Sequence, residues 1–250
     1  MLWHLRPSHY NEKARWALDY KGIPHVRREA RPGQHPKVAR ELAGGRTFPV
    51  LVLDGEAIGD STRILEALER FRPDPPLFPV EPAERRRALE IEDYFDEEFA
   101  PYLRGLLFHH MIPHADLTLR VLAPSLSGLQ RRRALAMFPL IRRRLRGGYV
   151  AVDDEGAEAA FAKIAAAGRR FREELEPSGY LVGDRFTVAD LAVAALSAPV
   201  VAPEQFPYPQ PQRGHPLFAD LRDALAEHGL DEWTREMYAR HRGRSAEVVA

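Results

Sequence analysis

The stretch RTFPVLVLDGEAIGDSTRIL, residues 46–65, runs a strand, a turn, a second strand and a helix start in immediate succession. Phe48 to Leu53 (FPVLVL) is an apolar run of strand length, Asp54-Gly55 is a hairpin pair, and Glu56 to Ile58 returns as a short strand. Asp60-Ser61-Thr62 then supplies N-cap oxygens for a helix reaching about Phe71. Pro49 is the odd element. At the head of a core strand it removes a ladder N–H, which is costly unless the missing donor serves a purpose.

Toward the N-terminus, MLWHL reads as a first strand and Asn11 to Lys21 as a helix with Ala14, Ala17 and Leu18 on one face, stopped by Gly22. Pro24 to Ala30 is a second strand centred on Val26, and Pro36 to Leu42 a short helix. The order is βαβαββα, a two-layer α/β unit. Between the first strand and the first helix lie Ser8, His9, Tyr10 and Asn11. Ser8 and Asn11 are good N-caps for any helix, and side chains on such a turn also face whatever the positive helix end attracts.

Toward the C-terminus, Arg72 to Pro82 holds five prolines in eleven residues, a semi-rigid linker rather than a helix or central strand. From Ala83 the signals are helical: 83–107, 129–146, 155–175, 188–198, 217–227 and 232–242. His109 to Gly128 and Pro199 to Pro216 read as irregular loops. The organisation is therefore an α/β domain over residues 1–75 and an all-α domain over residues 83–250.

The 36 basic and 36 acidic residues cancel, which recommends neither nucleic acid nor an anionic membrane as partner. No apolar run approaches the roughly 20 residues of a membrane span, and the start lacks a signal-peptide plan, so a cytoplasmic location is expected. Cysteine is absent, which removes disulfides, thiolate metal sites and any chemistry led by a protein thiol. Glu92 and Asp96 have the spacing of paired metal carboxylates, but no Glu-x-x-His partner follows, and they read as a solvated or interface face. His109, His110 and His114 lack supporting carboxylates, so no metal is expected. The arginines at 131–133 and 142–144 read as a helix face paired with acidic neighbours.

Thr47-Phe48-Pro49-Val50 resembles the cis-proline turn of thioredoxin-like folds. YLVGDRFTVADLAVA, residues 180–194, is similar to the buried-helix signature of cytosolic glutathione transferases, with Thr187 as N-cap and Asp190 completing an acidic capping box. With the βαβαββα order and the helical second half, nearly the whole chain resembles a serine-type, theta/zeta-like bacterial member of that family. The resemblance implies a thioredoxin-like N-terminal domain followed by an all-helical C-terminal domain. It further implies glutathione as co-substrate, a small electrophile or peroxide as second substrate, a role in detoxification and a homodimer.

Residue by residue, Lys13 and Arg15 match the family's basic-x-Arg pair, and Ser8 falls where serine-type classes carry the hydroxyl that favours the glutathione thiolate. Ser8 and Asn11 also stand where redox relatives keep Cys-x-x-Cys, so thiol-disulfide chemistry is disfavoured. Tyr10 and Asn11 remain alternative contacts to the sulfur. Asp60 and Ser61 match the pair that binds the γ-glutamyl end, Phe48 before Pro49 offers its backbone to the cysteinyl segment, and His35 or Arg46 would reach the glycyl carboxylate. Tyr94, Phe95, Tyr102 and Phe108 are candidates for the electrophile pocket. A Ser8-His9 nucleophilic pair is disfavoured because sequential side chains diverge and no G-x-S-x-G elbow exists. Two rival readings remain: a non-catalytic ligand carrier or protein-interaction scaffold, and a glutathione-dependent isomerase or dehalogenase using the same site.

Overall fold

In the computed structural model, which describes residues 1–30, 33–148 and 154–248, the first part of the chain forms a four-stranded sheet flanked by helices. The elements are β1 (Leu2–His4), α1 (His9–Tyr20), β2 (Arg27–Glu29), α2 (His35–Ala43), β3 (Val50–Leu53), β4 (Glu56–Gly59) and α3 (Ser61–Phe71). Strand order is β2-β1-β3-β4, with β1 parallel to β2 and the other pairs antiparallel. This is the expected thioredoxin-like βαβαββα unit. β3 begins at Val50 rather than Phe48, because Pro49 has no N–H to give the ladder and follows a cis peptide bond. α1 begins two residues earlier than the sequence predicts, since Ser8 rather than Asn11 takes the N-cap position.

Among the described residues, the named elements that follow are all helices. Residues 83–107, expected as one helix, are split into α4 (Pro82–Tyr94), a single π-helical turn (Phe95–Phe99) and α5 (Ala100–Met111). Pro101 explains the split: it has no N–H, and its ring would crowd the carbonyl four residues back, so the backbone opens and Ala100 N–H reaches Phe95 C=O. The expected loop at 109–128 instead contains α6 (Ala115–Leu122), held by buried Leu117 and Leu119. The Thr118 hydroxyl lies 2.7 Å from Met111 C=O and 2.9 Å from His114 C=O, closing the end of α5. Residues 129–146 form two helices, α7 (Gly128–Ala136) and α8 (Phe138–Gly148), with Pro139 tolerated in the first turn of the second. Then come α9 (Asp154–Glu174), α10 (Val188–Val201), α11 (Ala219–Ala226) and α12 (Leu230–His241).

The fold turns on α1. The amphipathic reading gave it one apolar face, yet residues 11–19 are all buried, because α3 covers one side and α10 and α12 the other. Trp16 is fully buried, stacked 5.5 Å from the Phe186 ring and 4.3 Å from that of Tyr238, with its indole N–H on His241 C=O. Charges that would ordinarily face water are matched across the junction. Arg242 reaches Glu12 at 2.6 Å and Asp19 at 2.8 Å, and the C-terminal tail continues along Asp19 through Ala246 N–H.

Lys13 is wholly enclosed, its ammonium held by Glu92 and by both oxygens of Asp96, with the Thr62 hydroxyl also on Glu92. Of the solvated or interface face expected for Glu92 and Asp96, the interface is what forms: they are 2% and 9% exposed and hold α4 and the π turn to α1. Burial raises the Asp96 carboxyl above its ordinary value, Lys13 opposing the rise and Glu92 adding to it.

Asp190 is the other buried anchor. Its carboxylate accepts from the N–H groups of Leu181 and Thr187 at 2.8 Å each and from the Thr187 hydroxyl at 3.0 Å, fixing the start of α10.

Two stability predictions follow from these anchors. Lys13→Met leaves two buried carboxylates without their cation and is expected to cost about 3–5 kcal/mol in denaturant unfolding, much of it recovered when Glu92→Gln and Asp96→Asn are added. Asp190→Ala orphans two buried backbone donors, and a loss of about 2–4 kcal/mol is expected. Burial raises the Asp190 carboxyl from 3.8 to about 6, so between those values the folded state keeps a proton the unfolded chain has released. That contribution is full below the unfolded value and lost as pH rises through about 6. Asp190→Asn cannot titrate, so its unfolding free energy should gain on wild type between those values; a constant difference refutes the assignment.

Candidate functional site

One end of the sheet collects most of the residues singled out in the sequence. β1 and β3 pair through Trp3 and Val50, so the turn leaving β1 lies beside Pro49. β3 and β4 pair through Val50 and Gly59, so Asp60 emerges next to the same proline. The N-terminus of α1, the cis Phe48-Pro49 turn and the N-terminus of α3 thus share an edge.

At its centre is Asn11, fully buried. Leu5 N–H donates to its Oδ1 at 2.9 Å, which fixes the amide orientation and directs Nδ2 outward. Nδ2 donates to Ser8 Oγ at 2.7 Å and to Phe48 C=O at 3.0 Å. The Asn11 backbone N–H also points at Ser8 Oγ, at 3.4 Å. Ser8 Oγ therefore acts as acceptor in both contacts with Asn11. Asn11 has both amide hydrogens and its oxygen committed internally.

The other turn residues are pinned from outside. Arg15, completely buried, donates to the carbonyls of Leu5, Arg6 and Ser8 at 3.1–3.3 Å and pairs with Glu12 at 2.7 Å. The Tyr208 and Phe206 rings of the proline-rich 202–215 loop stand 5.2 and 5.7 Å from its guanidinium. Burial and Arg15 hold His4 at about 2, so it is neutral and its Nδ1 can accept from Arg15 at 3.0 Å. Tyr10 turns away from the sheet: its O–H donates to Asp96 C=O at 2.9 Å, and burial raises its pKa. His9 is 3% exposed, lowered to about 3 by burial and by Arg104 and Lys13, and its Nε2 lacks a partner.

Around this centre, Asp60 takes a positive φ of 74° and caps α3 by accepting from Arg63 N–H at 3.1 Å, while Ser61 is buried at its first position. His35 opens α2 with its ring 6.1 Å from that of Phe48, and burial lowers its pKa. Arg46 lies exposed just before the turn.

The aromatic candidates for the second pocket fare differently. Phe95 is fully enclosed against Phe99, Tyr94 and Tyr102 lie under Arg170 and Lys163 of α9, and Phe108 is half-buried. Where α5 meets the Ser8–Tyr10 turn, the side chain present is Arg104, which the sequence reading missed. Its available signal was being the one charged residue in 100–108. Among the described residues no three His, Asp or Glu side chains are grouped to hold a metal, and no helix is long and apolar enough to cross a membrane.

Residues 2–76 match the family model for the glutathione S-transferase N-terminal domain, and residues 131–228 that for the C-terminal domain. The chain is 28% identical over 199 residues to FtsZ-localized protein A of Caulobacter vibrioides, covering 78% of this chain and 74% of that one. It is 27% identical over 216 residues to a probable maleylacetoacetate isomerase of Caenorhabditis elegans, covering 84% and 80%. Among solved structures, the beta-etherase LigF of Sphingobium sp. strain SYK-6 shares the fold with a TM-score of 0.67, 21% identity, and 96% and 95% coverage. With its thioredoxin-like sheet, its cis-proline turn and both halves matched, the chain belongs to the glutathione S-transferase family.

Proposed function

We propose that this chain is a cytoplasmic glutathione transferase in which Ser8 favours the glutathione thiolate for attack on a small electrophilic carbon or a peroxide. Glutathione lies along residues 1–75 and the second substrate against residues 83–250. The supporting observation is the Asn11 amide bond to Ser8 Oγ at 2.7 Å, which leaves the hydroxyl hydrogen to donate to sulfur at the positive end of α1. A thiol of pKa about 8.5 is mostly protonated at neutral pH, and each unit of depression is worth about 1.4 kcal/mol. Ser8 stabilises the anion and is not the attacking group. Tyr10 and Asn11, committed to Asp96 C=O and to Ser8, act behind it.

In this reading the cysteinyl segment pairs with the backbone of Phe48, the residue before cis Pro49, while Asp60 takes the γ-glutamyl ammonium and Ser61 with the α3 N-terminus its carboxylate. His35 or Arg46 takes the glycyl carboxylate. The conjugation, isomerase and dehalogenase variants share these contacts, and a role in detoxification follows from the first. A protein-interaction or ligand-carrier role is the second reading, favoured by similarity to the FtsZ-localized relative.

In this reading the chain pairs as a homodimer, and the groove of about 590 Å³ lined by Val80, Leu89, Arg85, Arg86, Glu90 and Asp93 is a candidate for its interface. Val80 is 83% exposed there, and a groove carrying both signs of charge complements a second copy of itself.

Ultraviolet titration of bound glutathione should show the thiol pKa lowered by about one to two units in wild type. Ser8→Ala should bind comparably and lose the shift, and Asn11→Ala should lose part of it. Binding with no shift in wild type would favour the carrier or scaffold reading. For the dimer, Val80→Asp should sediment as a monomer; an unchanged mass places the interface elsewhere.

A further inference from the structure

The basic side chains buried at the junction of α1 with its neighbours are matched: Lys13 by Glu92 and Asp96, Lys21 by Glu69, Arg15 by Glu12, Arg242 by Glu12 and Asp19. Arg104 is different. It is half-buried on α5, its guanidinium 5.6 Å from the Tyr10 ring centroid, with no ion pair among the described residues and a buried Nε that lacks any hydrogen-bond partner. Beside it, the His9 ring lies 4.5 Å from that of Tyr10, and His9 Nε2 is likewise buried and unpartnered. An orphaned buried polar atom costs about 1–3 kcal/mol, and two near one tyrosine, with Arg104 close enough to lower the His9 pKa, mark a place where a ligand completes the hydrogen bonding.

The chemistry of that ligand follows from the groups. A planar guanidinium matches a carboxylate in bidentate fashion, and a neutral imidazole can donate one further hydrogen bond without adding charge. Phe108, one helical turn along α5 from Arg104, is half-buried on the same face. On the glutathione reading the glycyl carboxylate goes to His35 or Arg46, which lie toward Phe48, whereas Arg104 stands on α5 against Tyr10, whose O–H turns to Asp96 C=O.

We propose that Arg104 and His9 form an anion subsite for the carboxylate of an acid-bearing electrophile whose aromatic or apolar body packs near Phe108. The identity of the attacking sulfur and the separation of this subsite from the glycyl end rest on the glutathione reading above.

The test separates the two. Binding of 4-nitrobenzoate and of nitrobenzene is measured by calorimetry for wild type, Arg104→Met and Arg104→Lys, with and without S-methylglutathione. Wild type is expected to prefer the carboxylate by about tenfold or more. Arg104→Met should erase the preference while nitrobenzene and glutathione bind as before, and Arg104→Lys should keep part of it. No preference in wild type, an unchanged preference in Arg104→Met, or weakened glutathione binding in Arg104→Met overturns the proposal; the last would give the guanidinium to the glycyl end.

In parallel, glutathione conjugation of 4-chloro-3,5-dinitrobenzoate is compared with that of 1-chloro-2,4-dinitrobenzene. Sulfur bonds to the ring carbon and chloride departs with the bonding pair. Carboxylate binding without conjugation of either compound sustains the subsite and sinks the transferase reading. Conjugation of both without discrimination does the reverse.

Discussion

A lysine ammonium closed off from water between two carboxylates sets the relation between the two halves of the molecule. Lys13 sits on α1, Glu92 and Asp96 on the long helical stretch beyond the linker, and Thr62 at the start of α3 joins them. Such a cluster adds little net stability over an apolar contact of the same shape, because desolvation cancels most of the attraction. What it does enforce is register, since a slip by one helical turn would strand an unpaired buried charge. The Tyr10 bond to Asp96 C=O uses the same junction, so the turn carrying Ser8 inherits its position relative to the helical half.

Within that frame the site is built from commitments elsewhere. Arg15 gathers three carbonyls of the β1–α1 turn, and Asn11 ties the turn to Phe48. The consequence is a hydroxyl whose oxygen accepts from both the backbone and the side-chain amide of Asn11. A turn without sulfur can still bias a bound thiol toward its anion, because the helix end and one oriented hydroxyl favour charge there. His4 and His9, neutral through burial, leave the field at the turn to the helix end and the arginines.

Much of the fold was legible because its signals are local. Asp54-Gly55, Asp60 and the Thr187–Asp190 box each specify a turn or cap by chemistry within four residues, and each appears where the sequence reading put it. The missed elements depend on distant context. α6 formed because Leu117 and Leu119 found a core to enter, and the π turn formed because Pro101 falls inside a helix that packing would not let end. Glu92 and Asp96 read as solvent-facing because charge at helical spacing usually is, and their partner lies about eighty residues away on α1.

The sequence by itself determined the order of elements in the first 71 residues, the capped α10 and the absence of protein thiols, and by resemblance it pointed to the cis-proline turn and the family. The reasons for the elements and the cap were backbone geometry, hydrogen-bond capacity and composition, none of which needs a neighbour; the family rested on the resemblance of residues 47–50 and 180–194. The tertiary structure alone decided which polar groups are spent: Asn11, Lys13 and Arg15 are consumed in holding the fold, while Ser8 Oγ accepts from Asn11 and Arg104 Nε has no hydrogen-bond partner among the described residues. Burial and pairing are properties of the packed whole, so a residue's type states what it can do and only its surroundings state what it is free to do.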